Sequence, residues 1–318
     1  MRRQERVLVT GGAGFIGSHL VDALVQKGSG VLVLDDFSTG RAANLASSRD
    51  RIDVVEGDVR DLELLRQAVR GVEVVFHLAA VSSVVPSVED PLTCHAVNVG
   101  GTLNVLTAAR DAKVRRVVSF SSAAVYGADP RLPKTEDMNV SPLSPYAASK
   151  AAGELYCRVF STLYHLETVC LRPFNVYGPR QNPASEYSGV VSRFVERLLA
   201  GDPPVIEGDG EQSRDFVFVD DIVAACLLAA EAPGVGGRVF NVGSGRATTI
   251  NDLARLLAKA VAPGKAIPPV YREARPGDVR LSLASIDEAR RRLGYAPSVE
   301  LADGLARTAE WLRQGHGA

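Results

Sequence analysis

The chain has 318 residues, of which 46% are hydrophobic and 23% charged, with a formal net charge of −1. This balance predicts a globular protein with ample core, and the absence of any Lys/Arg block argues against nucleic acid or an anionic membrane as the main partner. A small molecule is the expected ligand. The four cysteines, Cys94, Cys157, Cys170 and Cys226, are scattered without a C-x-x-C pair, which reads as reduced, buried thiols. Two early arginines precede an apolar run, but Gly11, Gly12, Gly14 and Gly17 interrupt it and nothing looks like a cleavage site. A cytoplasmic protein without a transmembrane span is expected, and the glycosylation-like triplet Asn139-Val140-Ser141 is then a chance match.

In chain order, RVLVT, GVLVLD, IDVVEGD, VEVVFHLAA, RRVVSFSS and TVCLRP read as strands. Runs this apolar, without polar alternation, suit a parallel sheet covered on both faces. Amphipathic stretches lie between them, such as GSHLVDALVQKG, which ends at Gly28 as a helix C-terminus does. The βαβ rhythm predicts an α/β fold with a Rossmann-like, doubly wound parallel sheet over residues 1–174. RPFNVYGPRQNPASEYSG is rich in Pro, Gly and Asn and reads as a loop. DFVFVDDIVAACLLAAE then forms another strand-helix unit, followed by RVFNVGSG, a helix near TINDLARLLAKAVA and a last helix ending past Trp311. A smaller C-terminal α/β substrate domain over 175–318 is expected, with the chain returning to the first domain around 215–245.

Gly11, Gly14 and Gly17 form G-x-x-G-x-x-G between a strand and a helix. Such glycines let the backbone turn tightly against a pyrophosphate, while the helix N-terminus offers free N–H groups; the alternative is a merely tight turn. The next strand ends in Asp35-Asp36, where a carboxylate can accept from an adenosine ribose and repels a 2′-phosphate. NAD is therefore favoured over NADP, although Arg41 stands close by. Asp58 either faces the adenine or is a solvated loop aspartate.

Tyr146 and Lys150 in SPYAASK are four residues apart, on one face of a helix. They are either a surface pair or a catalytic one. Together with the glycine pattern and a serine-rich strand end the catalytic reading is preferred: a lysine cation and a positive nicotinamide would favour the phenolate and make Tyr146 an acid/base. His77 and His95 have no further ligand at metal spacing, so no metal is expected.

The segments TGGAGFIGSHL, LDDFSTG, EGDVRD, FHLAA, SSAAVYG, SPYAASK, RPFNVYGPRQ, SRDFVFVDD, FNVGSG and RPGDVR occur in order from Thr10 to Arg280. In these the chain resembles the extended short-chain dehydrogenase/reductases, and within them the sugar-nucleotide 4-epimerases. The resemblance implies NAD contacts from Gly11, Gly14, Phe15, Ile16, Gly17, Asp35, Asp36, Phe37, Ser38, Thr39, Gly40, Asp58, Val59, Leu78, Ala79, Ala80, Asn98, Tyr146 and Lys150. It implies a catalytic set of Ser122, Tyr146 and Lys150, with Ser121 as a neighbour that could be confused with Ser122. A UDP-sugar would meet Asn175, Val190, Val205, Ile206, Arg214, Arg275, Asp278 and Ser282. For Arg214 and Arg275 a surface salt bridge, and for Asn175 a turn-stabilising role, are the structural alternatives.

In this family the sugar C4 hydroxyl gives its proton to the tyrosine while the hydrogen on C4 leaves as hydride to NAD, and an epimerase returns the hydride to the other face. Related dehydratases carry an Asp-Glu pair, and related decarboxylases a glutamate, where this chain has Ala123 and Ala124, which transfer no protons. Ala124 also departs from many epimerases, so a substrate contact is missing or supplied by Ser82 or Ser83. Gap-free counting puts Ser282 beside the C2 substituent, where a small residue admits an acetamido group. The resemblance therefore implies interconversion of UDP-GlcNAc and UDP-GalNAc, with UDP-Glc and UDP-Gal also accepted. The alternatives are an epimerase restricted to non-acetylated sugars, one for another nucleotide sugar or uronic acid, and a non-catalytic NAD-binding regulator. A homodimer joined through the helices around LTCHAVNVGGTLNVLTAARD and PYAASKAAGELYCRVF is implied as well.

Overall fold

The computed structural model describes residues 5–181, 189–265, 267–274 and 280–315. Its first half runs β1 (Arg6–Thr10), α1 (Phe15–Gln26), β2 (Gly30–Asp35), β3 (Ile52–Glu56), α2 (Leu62–Ala68), β4 (Val74–His77), α3 (Val84–Glu89), α4 (Pro91–His95), α5 (Gly101–Asp111), β5 (Arg116–Phe120), α6 (Pro145–Tyr164) and β6 (Glu167–Pro173). The second half adds β7 (Asn175–Tyr177), α7 (Val190–Leu199), β8 (Val205–Glu207), β9 (Ser213–Arg214), β10 (Phe216–Phe218), α8 (Val219–Glu231), β11 (Arg238–Val242), β12 (Thr248–Thr249), α9 (Ile250–Val261), β13 (Val270–Arg272), α10 (Asp287–Leu293) and α11 (Leu301–Arg313).

Seven strands form one parallel sheet in the order β3-β2-β1-β4-β5-β6-β11. The order reverses between β1 and β4, the place where doubly wound sheets open a crevice at their strand C-termini. Residues within each strand alternate between two cores. Val7, Val9, Val31, Val33, Val118 and Val169 pack with α1, α8 and α10, while Leu8, Leu32, Val75, Val117 and Cys170 pack with α2, α5 and α6. Apolar side chains on both faces explain why the strands read as unbroken hydrophobic runs.

A third core gathers α7, α9 and α11 around Tyr177, Ile206, Phe216 and Phe218. Phe15 and Ile16 at the start of α1 pack against it, so the two parts of the molecule meet beside the glycine turn. Ala284, Ile286, Ala289, Leu293 and Tyr295 join the first core, a second return of the chain that the sequence reading did not anticipate. The stretch read as a loop after Arg172 contains β7, paired in parallel with β10. Its partner lies some forty residues further on, and such non-local pairing leaves no mark on local composition. Among the described residues no helix is long and apolar enough to cross a membrane.

Asp215 ties these returns together. Fully buried, it accepts from Ser244 N at 2.7 Å, Ser244 Oγ at 2.6 Å, Gly245 N at 3.0 Å and Ala284 N at 3.1 Å, while its carbonyl accepts from Asn175 N at 3.0 Å. An asparagine has one acceptor oxygen in place of two and turns an NH2 toward these donors. Asp215→Asn should therefore lower unfolding stability by about 2–4 kcal/mol, measured by urea denaturation.

Candidate active site

The glycine turn closes over β1. Gly11 has φ +70°, and a Cβ there would stand 2.6 Å from Ala79 N; a Cβ on Gly17 would stand 2.1 Å from the Gly11 carbonyl oxygen. No side chain fits either place, so the backbone faces the crevice bare. Gly14 is the N-cap of α1 and supplies no side-chain cap. The first N–H groups of that helix are thus left to an anion such as a pyrophosphate.

Asp35 ends β2, 5% exposed. Its carboxylate accepts from Ala13 N at 2.8 Å and Phe37 N at 2.9 Å, and burial pushes its pKa above the ordinary value. Each oxygen retains a lone-pair site for a ribose hydroxyl. Asp36 is exposed and accepts from Ser38 N and Oγ; Thr39 is exposed, and Gly40 abuts the Asp35 carboxylate. Asp58 is gripped by Arg60 through its side chain and backbone, which holds its pKa below the ordinary range. Its carboxylate shapes a local turn. Val59 is buried in the second core. Leu78, Ala79 and Ala80 follow β4 against the glycine turn, with Leu78 N bonded to the Thr10 carbonyl at 3.0 Å.

Asn98 lies in a π-helical turn, Ala96–Gly100, between α4 and α5. Its Oδ1 accepts from Val81 N at 2.8 Å, and its Nδ2 donates to Val81 O at 3.0 Å and Ser149 Oγ at 2.9 Å. Its amide therefore holds the loop after β4 onto α6. His77 is bonded to Thr10 Oγ1 at 2.8 Å and Thr102 Oγ1 at 3.0 Å. Thr102 donates its own proton to Asn98 O at 2.6 Å, so it accepts from His77 Nε2–H and Thr10 donates to Nδ1. Burial lowers the His77 pKa to about 3, and the ring is a neutral, satisfied part of the core.

α6 starts at Ser144, whose hydroxyl accepts from Ala147 N at 3.1 Å, with Pro145 in the first turn. The Tyr146 N–H is taken by Ser87 Oγ of α3 at 3.0 Å. Ser122 lies beside the Tyr146 phenol and acts to lower its pKa, and its Oγ accepts from Ala124 N at 3.1 Å. Ser121 points elsewhere, to Glu154. Lys150 donates to the Phe120 carbonyl at 3.0 Å, with Nζ 5.9 Å from the Tyr146 ring centre. Burial lowers the Lys150 pKa to about 8. Burial also raises that of Tyr146, against a smaller lowering by the neighbouring Ser122. The expectation that Lys150 favours the phenolate is thus not realised in the protein alone, because its ammonium is directed at Phe120 and burial dominates. The backbone carbonyl of Phe120 and the hydroxyl of Ser87 escaped the sequence reading; a carbonyl has no residue-type signature, and Ser87 reaches Tyr146 only through the packing of α3.

The residues expected to meet substrate come from several separate elements. Ser82 is exposed and Ser83 caps α3 without a side-chain bond. Asn175 Nδ2 donates to the Asp215 carbonyl at 3.2 Å. Val190 opens α7, Val205 is half-buried on β8, and Ile206 lies 1% exposed in the third core. Arg214 Nη1 donates to Ser213 O at 2.9 Å. Ser282 N donates to Ser213 O at 3.1 Å, and the neighbouring Ala284 pairs with Lys134. Arg275 and Asp278 lie outside the described residues. Among those described, no group of His, Cys, Asp and Glu is arranged to hold a metal.

A doubly wound sheet, a bare glycine turn at its switch point, an acid ending β2 and a Tyr-Lys-Ser set on the same edge define an enzyme of the dinucleotide-dependent class. The pattern of the NAD dependent epimerase/dehydratase family matches residues 7–243. A UDP-glucose 4-epimerase of Mycolicibacterium smegmatis is 48% identical over 97% of this chain and 98% of its own. Among solved structures, UDP-glucose 4-epimerase of Thermotoga maritima with UDP-glucose superposes with a TM-score of 0.92 at 40% identity, covering 98% of this chain and 99% of that one. UDP-N-acetylglucosamine 4-epimerase of Methanobrevibacter ruminantium M1, in complex with UDP-N-acetylmuramic acid, gives 0.94 at 38% identity, with the same coverages. The chain belongs to the NAD dependent epimerase/dehydratase family. It is an enzyme whose cofactor is NAD, and the bare turn and the Asp35 carboxylate fit that dinucleotide.

Gly17→Ala should abolish NAD binding by calorimetry while the fold is kept, since its Cβ collides with the Gly11 carbonyl. Lys150 makes a second prediction through linkage. Its pKa is lowered from 10.5 to about 8, so the unfolded chain holds more protons between those values and this group's contribution to stability improves as pH rises through that window. The melting temperature of Lys150→Met relative to the parent should accordingly fall between pH 8 and pH 10.5, as read by thermal denaturation.

Proposed function

We propose that the protein interconverts the C4 epimers of a UDP-hexose through a transient 4-keto sugar. UDP-GlcNAc and UDP-GalNAc are the principal pair, and UDP-Glc and UDP-Gal are also accepted. One observation carries the choice of reaction: Ser122 stands beside the phenol of Tyr146, and the next two residues, Ala123 and Ala124, offer no acid or base. With no acid or base in the two residues that follow Ser122, removal and return of one proton by Tyr146 is supported over elimination of water across C5 and C6.

When bound, NAD supplies reversible hydride transfer at the sugar C4. The Ser122 hydroxyl orients the C4 hydroxyl toward Tyr146. Tyr146 takes its proton and later returns it. Lys150 holds the helix face to the Phe120 carbonyl and carries positive charge below about pH 8, which favours the phenolate once the crevice is closed around ligand. The small side chains of Ala123, Ala124 and Ser82 leave room for the keto sugar to turn over. Arg214, Arg275 and Asp278 are assigned to the UDP portion, for which guanidinium forks suit diphosphate oxygens. Ser282 is assigned to the C2 substituent, with no bulk to exclude an acetamido group.

A homodimer is part of this reading. Leu155, Val159 and Leu163 form an exposed stripe along α6, and Leu92 of α4, a helix in contact with α6, is 81% exposed. Apolar side chains at four-residue spacing on two neighbouring helices are suited to cover by a second copy. Leu163→Glu should convert a dimer to monomers in sedimentation velocity.

The deciding experiment incubates the enzyme with UDP-GlcNAc and with UDP-Glc, and resolves the products by NMR. Formation of UDP-GalNAc without net NADH is expected. Tyr146→Phe should slow it by about 10²- to 10⁴-fold, and Ser282→Tyr should lose the N-acetyl substrate selectively. Conversion of UDP-Glc alone would overturn the choice of sugar.

A further inference from the structure

We infer that Glu154 is a positioning residue which, through Ser121 and Arg172, sets the register of α6 against β5 and so aims Tyr146 at Ser122. The inference rests on the proposed reading only for Tyr146 as the proton carrier. Three consecutive residues at the end of β5 meet three residues spaced by four along α6. The Phe120 carbonyl accepts from Lys150 Nζ at 3.0 Å, the Ser121 hydroxyl donates to Glu154 Oε1, and the Ser122 hydroxyl lies beside the Tyr146 phenol. Positions 146, 150 and 154 share one helical face. A slip of α6 by one residue would displace it about 1.5 Å and rotate that face about 100°, breaking all three contacts at once.

Glu154 is held in its turn. Arg172 Nε and Nη2 each donate to its carboxylate at 2.7 Å, a bidentate geometry that fixes direction as well as distance. Arg172 Nη1 donates to the Tyr126 hydroxyl at 2.8 Å, which donates to Asn241 Oδ1 at 2.7 Å. The carboxylate is thereby anchored to β6 and β11. Lower down α6, Cys157 and Phe160 pack into the second core, but a small cavity beside Lys150 is bordered by Ser119, Ser121, Ser149, Gly153 and Glu154 along with Phe120 and Cys170, so at this level the polar contacts add to the packing. A buried ion pair adds little stability over apolar residues of equal size, so its contribution here is orientation.

Ser121→Ala tests this without stranding a charge, because the Glu154–Arg172 pair remains. Two readouts are taken on the NAD-bound enzyme. The first is tyrosinate absorbance against pH, as the difference between each protein and the same protein carrying Tyr146→Phe, which isolates Tyr146 among the eight tyrosines and needs no substrate. The second is turnover of UDP-GlcNAc and UDP-Glc. The expected result is a Tyr146 pKa raised by about half a unit or more, kcat lowered about tenfold with KM within about twofold, and both restored in Ser121→Thr. An unchanged titration overturns the inference, as does a raised titration with kcat intact. If the parent turns over neither sugar, the catalytic reading fails, and the titration alone decides whether Glu154 and Ser121 position the phenol.

Discussion

Hydrogen bonds between the end of β5 and one face of α6 are the constraint on which the site depends. The helix carries Tyr146 and Lys150, the strand carries Ser122, and their meeting requires a fixed height and rotation of one against the other. The Phe120 carbonyl, which accepts from Lys150, is a backbone group that any residue could supply. Its place is set by the parallel pairing of β5 between β4 and β6. The chemistry of the edge is thus built on sheet geometry first and on side chains second.

Everything that borders the crevice is braced from behind. The glycine turn presses on Ala79, the loop after β4 is held to α6 by Asn98, and His77 sits in a closed chain of hydroxyls. On the far side, Asp215 gathers the turn at Ser244, the start of β7 and the segment at Ala284. Buried polar groups placed this way are costly unless fully bonded, and once bonded they admit few alternatives. The two parts of the molecule share no simple boundary, because residues on either side of 284 belong to different cores.

The electrostatics show what the protein leaves to its ligands. Burial raises the Tyr146 pKa and lowers that of Lys150 to about 8, so the phenol is held neutral and the lysine titrates not far above neutrality. Desolvation disfavours both charged forms, and a positive charge brought to the phenol would favour its ionised form.

The chain by itself determined the α/β rhythm, the glycine turn, the acid ending the second strand and the Tyr-Lys spacing, because each is a short-range pattern: period, punctuation and residue type within one element. The resemblance to the sugar-nucleotide epimerases was likewise carried by contiguous motifs. Tertiary structure alone decided that Ser122 and not Ser121 faces Tyr146, that Asn98 braces a loop, and that Ala284 to Tyr295 return to the first core. These depend on where a side chain points after distant segments pack, and adjacent residues such as Ser121 and Ser122 are alike until a strand end turns one toward Glu154 and the other toward the crevice.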